Sequence, residues 1–230
     1  MSSPLWLPSN EKINNSLMHK FMQNVPGKFS SYFELYHWSI NDMESFWAEF
    51  WKFSNIKYSR SYDSILDNPV MPGAQWFLGS ELNYAENLLK GDSNQVAIIS
   101  LGENKLAESL TFKELNQKVS SVQKGLIELG VKKGTIVAGF VPNCVETVII
   151  MLAVSSLGGI WTSCSPDFGA KGVVDRFGQV SPHILVTSNG YSYNGKLFKL
   201  EDKVNGVLDV IDSISHIIEI DYVDVNSKFN

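Results

Sequence analysis

The stretch Ile136-Val-Ala-Gly-Phe-Val-Pro-Asn-Cys-Val-Glu-Thr-Val-Ile-Ile-Met-Leu-Ala-Val-Ser-Ser-Leu-Gly-Gly-Ile-Trp-Thr-Ser163 decides the fold. It opens on a short unbroken apolar run, turns at Pro142-Asn143, continues with helix-length apolar character, breaks at Gly158-Gly159 and closes on a second apolar run. This pattern predicts a strand over 136–141, a helix over 144–157 and a strand over 160–163. A helix between two such strands makes them parallel members of one sheet. Neither strand alternates apolar with polar residues, as expected when helices cover both faces. As a membrane span the apolar part falls short: 145–161 holds only 17 residues, carries Glu146 near its start and is broken by the two glycines.

Downstream the alternation continues, with a short helix expected over 172–179, a strand over 184–187, a helix over 200–211 and a strand over 217–222. Upstream, Thr111-Phe-Lys-Glu114 has the form of a capping box. The helix it opens presents Leu115, Val119, Val122 and Leu126 on one face and is expected to end at Gly130. Before it, 95–100 and 106–110 read as two strands around a turn at Gly102. The first 75 residues differ. There Asn10 is expected to cap a helix through Ile13, Leu17 and Phe21 that Pro26-Gly27 stops. A short aromatic segment follows over 30–38, and Ser39 or Asn41 opens a helix with Met43, Phe46, Trp47, Phe50 and Trp51 in an apolar stripe expected to be core. Residues 59–80, rich in proline and glycine, read as an irregular connector. The fold class is therefore α/β: an N-terminal helical segment over 1–80, then over 81–230 the start of a doubly wound, mainly parallel sheet.

The 230 residues are 44% hydrophobic and 19% charged, enough for a sizeable core and too apolar for wholesale disorder. At about 150 residues per domain the length fits neither one domain nor two. Net charge is -5, and Arg60 and Arg176 are the only arginines, which argues against nucleic acid as a partner. The first 15 residues hold no basic segment and no apolar run of signal-peptide length, so no signal peptide is expected. Cys144 and Cys164 lack disulfide or metal spacing and read as small core residues. A cytoplasmic location without membrane attachment is the expectation. The chain stops at Val225-Asn-Ser-Lys-Phe-Asn230, just after an expected strand with no closing helix, so the end is expected to interrupt a larger fold.

Two stretches carry candidate chemistry. Gly190-Tyr-Ser-Tyr-Asn-Gly-Lys196 has phosphate-loop spacing after a strand, but Leu197 stands where such a loop needs a hydroxyl for magnesium. Lys196 remains able to meet a phosphate as a point charge. Trp161-Thr-Ser-Cys-Ser-Pro-Asp-Phe-Gly169 leaves a parallel strand at the carboxyl edge, where open α/β sheets bind ligands. Its plainer alternative is a connection in which Ser165 or Asp167 caps the next helix. His19, His37, His183 and His216 are scattered and form no triad, with the last two at strand starts away from the ligand edge.

Several ordered blocks resemble the acyl-adenylate-forming ligases of the acetyl-CoA-synthetase type. They are Trp76-Phe-Leu-Gly-Ser-Glu-Leu-Asn-Tyr-Ala-Glu-Asn-Leu-Leu89, Thr111-Phe-Lys-Glu-Leu115, Gly130-Val-Lys-Lys-Gly-Thr-Ile-Val-Ala138 and Pro142-Asn-Cys-Val-Glu146. Gly158 to Gly169, followed by Asp175-Arg-Phe-Gly-Gln179, is closer to the acetoacetate–CoA ligase branch. The resemblance implies the adenylate-forming fold, with acetoacetate, ATP, magnesium and CoA as the complete enzyme's reactants. It also implies two steps, an acyl-adenylate formed with release of diphosphate and then thioester formation with CoA. Matched by position, the CoA-binding residues become Ser165, Pro166, Asp167, Tyr193 and Lys196. Arg176 is expected instead to anchor its helix through an ion pair or a backbone bond. The Thr/Ser/Gly-rich loop ending in Pro-Lys that holds ATP in this family is not in these 230 residues, nor is the C-terminal lysine domain. The chain is thus expected to hold no catalytic residue, no metal ligand and no adenylating activity alone, and a separately encoded remainder is a candidate partner. Two other readings stay open: a non-catalytic module binding CoA or a partner chain, and a small nucleotide protein of the phosphate-loop kind.

Overall fold

The computed structural model describes residues 5–27, 29–103 and 107–223. The chain divides into two compact units, Met1–Leu82 and Asn83–Asn230.

In the first unit helices α1 (Asn10–Asn15) and α2 (Leu17–Asn24) replace the single helix expected there. Ser9, not Asn10, caps α1, and Ser16 breaks the run. The Ser16 hydroxyl donates to the Ile13 carbonyl at 2.8 Å and accepts the His19 amide at 3.1 Å, so one side chain ends a helix and starts the next. The aromatic segment forms α3 (Tyr32–Asn41), which absorbs Ser39 and Asn41. The cap of α4 (Met43–Phe53) is Asp42, whose carboxylate accepts the Ser45 amide. The α4 stripe is half-buried or exposed, not full core. Phe46 and Phe50 edge against Phe21 at 5.7 and 5.8 Å, while Trp51 meets Phe77 at 4.6 Å. Residues 59–80 are also more regular than expected. Strands β1 (Ser64–Asp67) and β2 (Gln75–Leu78) pair antiparallel there, because aromatic side chains of 62–77 have α4 to pack on.

The second unit opens with α5 (Tyr84–Leu88) and the antiparallel pair β3 (Val96–Ser100) and β4 (Glu108–Thr111). The expected start of the second strand at Leu106 and the tail 225–230 lie outside the described residues. Thr111 closes its capping box on α6 (Phe112–Glu128), with the Glu114 carboxylate accepting from the Thr111 amide at 2.8 Å. Gly130, at φ +82°, ends α6 as the bonds Gly130 N–H to Ile127 O and Val131 N–H to Leu126 O form a Schellman turn. Then come β5 (Ile136–Phe140), α7 (Val145–Ser156), β6 (Ile160–Cys164), α8 (Ala170–Phe177), β7 (Ile184–Ser188), a hairpin of β8 (Gly190–Tyr193) and β9 (Lys196–Lys199), α9 (Glu201–Leu208) and β10 (His216–Ile220). Strands β10, β7, β5 and β6 lie in that order, all parallel.

Successive residues of these strands point to opposite cores. Val137, Ile184 and Val186 pack with Leu115, Val119, Ile149 and Ile150 of α6 and α7, while Ala138, Phe140 and Leu185 pack with Val173, Phe177, Val204 and Val207 of α8 and α9. Both faces are covered, which explains the unbroken apolar strands. In order of appearance the sheet reads 2-1-3-4 about β5, an order whose ligand crevice lies at the carboxyl edge between the first and third strands.

Candidate functional site

Three connections converge at that edge. Pro142 and Asn143 follow β5, Ser165, Pro166 and Asp167 follow β6, and Tyr191, Ser192 and Tyr193 belong to β8. With Tyr222, beyond β10, they line an open cavity of about 390 Å³. Four of the five expected CoA contacts, Ser165, Pro166, Asp167 and Tyr193, therefore share one cavity. Lys196 is not among its lining residues. It opens β9 directly across from Tyr193, so the two side chains leave the hairpin on the same face.

The stretch with phosphate-loop spacing folds as the hairpin itself. Asn194 and Gly195, at φ +50° and +72°, make the two-residue turn that Asn-Gly favours because both positions need left-handed backbone. A phosphate loop must enter a helix, and this one returns as a strand, so that reading is excluded. The connection after β6 also differs from its plainer alternative. Gly169 is the N-cap of α8 with no side-chain cap bond, so neither Ser165 nor Asp167 caps the helix; the Ser165 carbonyl instead accepts the Phe168 amide at 3.3 Å. Both side chains are thereby left at the cavity. Arg176 donates to the Gly172 carbonyl at 3.4 Å and lies 4.2 Å from the Phe168 ring centroid, the helix anchor expected of it.

Other residues fix this edge. Lys203 of α9 donates to the Pro166 carbonyl at 2.9 Å and lies 5.5 Å from the Tyr191 ring centroid, tying the loop after β6 to the hairpin. Tyr191 stacks on Phe198 across the hairpin at 5.1 Å. The Asn189 amide donates to Asp221 and Val223 and accepts the amides of Tyr222 and Val223, holding the Tyr222 segment beside the end of β7. Burial, then the Asp167 charge, pushes the Tyr191 phenol above its ordinary value, and burial does the same for Tyr222. The nearby thiols are poor nucleophiles: burial raises Cys144 and pushes Cys164 up to about 11, against a smaller lowering by Arg176. No histidine lines the cavity. His183 and His216 sit at the opposite, amino-terminal edge, rings 5.6 Å apart. Among the described residues no cluster of three or more His, Cys, Asp or Glu is arranged to hold a metal. The cavity has three tyrosine walls suited to a flat aromatic group and few charges.

Asn143, Tyr191, Tyr222, Asn189 and Lys203 are site residues that the sequence does not single out. The Asn-Gly turn signal points to the hairpin that carries Tyr191, and Asn143 and Tyr222 follow expected strands. Lys203 and Asn189 act through contacts 37 and 32–34 residues away in sequence, which no local pattern marks.

An open parallel sheet with its crevice at the carboxyl edge, preceded by a helical unit, is the architecture of the adenylate-forming enzymes. Residues 86–228 match the family model described as AMP-binding enzyme, and 32–88 match that described as acetyl-coenzyme A synthetase N-terminus. The chain belongs to the AMP-binding enzyme family. It is 39% identical over 225 residues to the acetoacetyl-CoA synthetase of Xenopus tropicalis, covering 95% of this chain and 34% of that protein. Acetoacetyl-coenzyme A synthetase of Rhizobium meliloti (strain 1021) is 38% identical over 208 residues, covering 89% of this chain and 32% of that protein. Malonamoyl-CoA synthetase of Penicillium aethiopicum is 35% identical over 226 residues, covering 93% and 31%. The solved acetoacetyl-CoA synthetase of Streptomyces lividans superposes with a TM-score of 0.89 at 34% identity, covering 95% of this chain and 35% of that one. The chain thus spans about a third of the length of the relatives it matches. Those relatives are ligases. No helix among the described residues is long and apolar enough to cross a membrane.

Proposed function

We propose that this chain supplies the CoA-facing part of an acetoacetate–CoA ligase. Residues 1–80 are its acetyl-CoA-synthetase-type N-terminal helical segment, and 81–230 are the first part of its adenylating domain. In the complete reaction a carboxylate oxygen of acetoacetate attacks the α-phosphorus of ATP, and diphosphate leaves with magnesium balancing its charge. The CoA sulfur then attacks the acyl carbon of the adenylate, its proton is lost, and AMP departs. The observation that carries the reading is the meeting of Ser165, Pro166, Asp167 and Tyr193 in one cavity at the carboxyl edge. Tyr191, Tyr193 and Tyr222 suit the adenine of CoA, and Lys196, on the face shared with Tyr193, suits a phosphate. Asp167 is unsuited to an anion and serves as a boundary, keeping the phosphates on the Lys196 side. Acetoacetate is favoured because acetoacetyl-CoA synthetases recur among the relatives, although a malonamoyl-CoA synthetase stands among them too.

No ATP-holding Thr/Ser/Gly loop ending in Pro-Lys occurs in the sequence. On this reading the chain alone is inactive in adenylation, works in the cytoplasm and depends on the remaining two thirds of a family member. The purified chain is expected to release no diphosphate from ATP, magnesium and acetoacetate. Release above a boiled-protein control counts against the assignment. A second reading, a non-catalytic CoA-binding module, rests on the same cavity and differs in needing no remainder.

A further inference from the structure

The hairpin tip already holds an anion. The Glu103 carboxylate, from the connection after β3, accepts the Asn194 amide at 3.1 Å through one oxygen and the Gly195 amide at 3.2 Å through the other. Asn194 and Gly195 both have positive φ, and their two N–H groups converge on one negative group, the behaviour of a backbone nest. Lys196 is the next residue, and Tyr193, which precedes the pair, lines the cavity. Two donors and a cation at one tip fit a phosphate monoester, whose three oxygens outnumber the two of a carboxylate.

The geometry points to the Asn194–Gly195 tip as a phosphate subsite that the chain's own Glu103 occupies until a phosphate-bearing ligand displaces it. The inference rests on the cavity beside the hairpin being the CoA site, and adds an internal competitor to it. Glu103 and phosphate exclude each other, since each needs the same two amides. The apparent affinity is then the intrinsic one multiplied by the fraction of time Glu103 is away. Two exposed bonds to a carboxylate are weak, so that fraction is on the order of one third to one fifth. Glu103 thereby senses the ligand: its carboxylate is held while the tip is empty of phosphate and released when phosphate arrives.

The test uses the isotope-labelled 230-residue chain, its Glu103→Ala and Glu103→Gln variants, and Glu108→Gln as a control that removes the same charge from β4. Inorganic phosphate and CoA are titrated separately while the Asn194 and Gly195 amide signals are followed by NMR. Glu103→Ala is expected to bind phosphate about three- to fivefold more tightly, with Glu108→Gln near wild type. Hydrogen exchange at Asn194 and Gly195 is expected to quicken in both Glu103 variants before any ligand is added. Equal phosphate affinity in wild type and Glu103→Ala, no phosphate binding by either, or a matching gain in Glu108→Gln overturns the subsite. If phosphate behaves as expected while CoA does not bind, the subsite stands and the CoA reading falls. If CoA binds without any response to Glu103→Ala, the reverse holds.

Discussion

Cys164 shows how position decides what a residue can do at this site. It ends β6 one residue before Ser165, at the edge where a nucleophile would be useful, yet burial pushes its thiol up to about 11. A group whose folded value is raised this way stabilises the fold fully below its unfolded value and loses that contribution as pH rises through the folded one. Stability is therefore expected to decline between about pH 9 and 11, with Tyr191 and Tyr222 adding to the loss above their ordinary values. Urea midpoints across that range check the decline, and a flat profile contradicts it. At pH 8 iodoacetamide is expected to leave Cys164 unmodified in the folded chain and to label it in urea. Spacing excluded a disulfide or metal role for Cys164, and the burial habit of free cysteine made it a core residue, whereas it is only half-buried at the end of β6. The sequence could not mark Lys203 or Asn189, because their value lies in reaching the Pro166 carbonyl and the Tyr222 amide across the fold.

At the scale of elements, the hairpin of β8 and β9 turns an apparent phosphate loop into the wall of a cavity. Its strands approach so closely at Gly190 that an added Cβ would lie 2.5 Å from the Phe198 carbonyl oxygen, a backbone atom that cannot move aside cheaply. Gly190→Ala is expected to cost about 1–3 kcal/mol by urea denaturation and to loosen Tyr191 and Tyr193. Gly195→Ala, with open space around the new methyl group, pays only for its positive φ, about 1 kcal/mol. Equal costs would remove the close approach as the reason for Gly190. Elements governed by local chemistry were legible beforehand: the Thr111–Glu114 box, the Gly130 stop, and every helix and strand of the parallel sheet to within about three residues. The exceptions have physical causes. Ser16 splits a helix through its own hydroxyl, Asp42 outcompetes Ser39 and Asn41 as a cap, and β1 and β2 depend on aromatic packing against α4. The candidate site was half legible, since a carboxyl-edge loop can be read from strand order, whereas the hairpin's return was hidden behind a glycine spacing shared with another motif.

At the scale of the molecule, the two-sided sheet gives the chain a substantial core, while its length is a third of that of its relatives. Family membership follows from the model matches and the superposition. Division of labour is the proposal: CoA-facing loops here, adenylating loop and lysine domain elsewhere. Isothermal titration of CoA into the purified 230-residue chain tests it most directly. The account predicts a single CoA site that Lys196→Ala weakens about three- to tenfold; a folded chain that takes up no CoA, or takes it up equally well without Lys196, would contradict it.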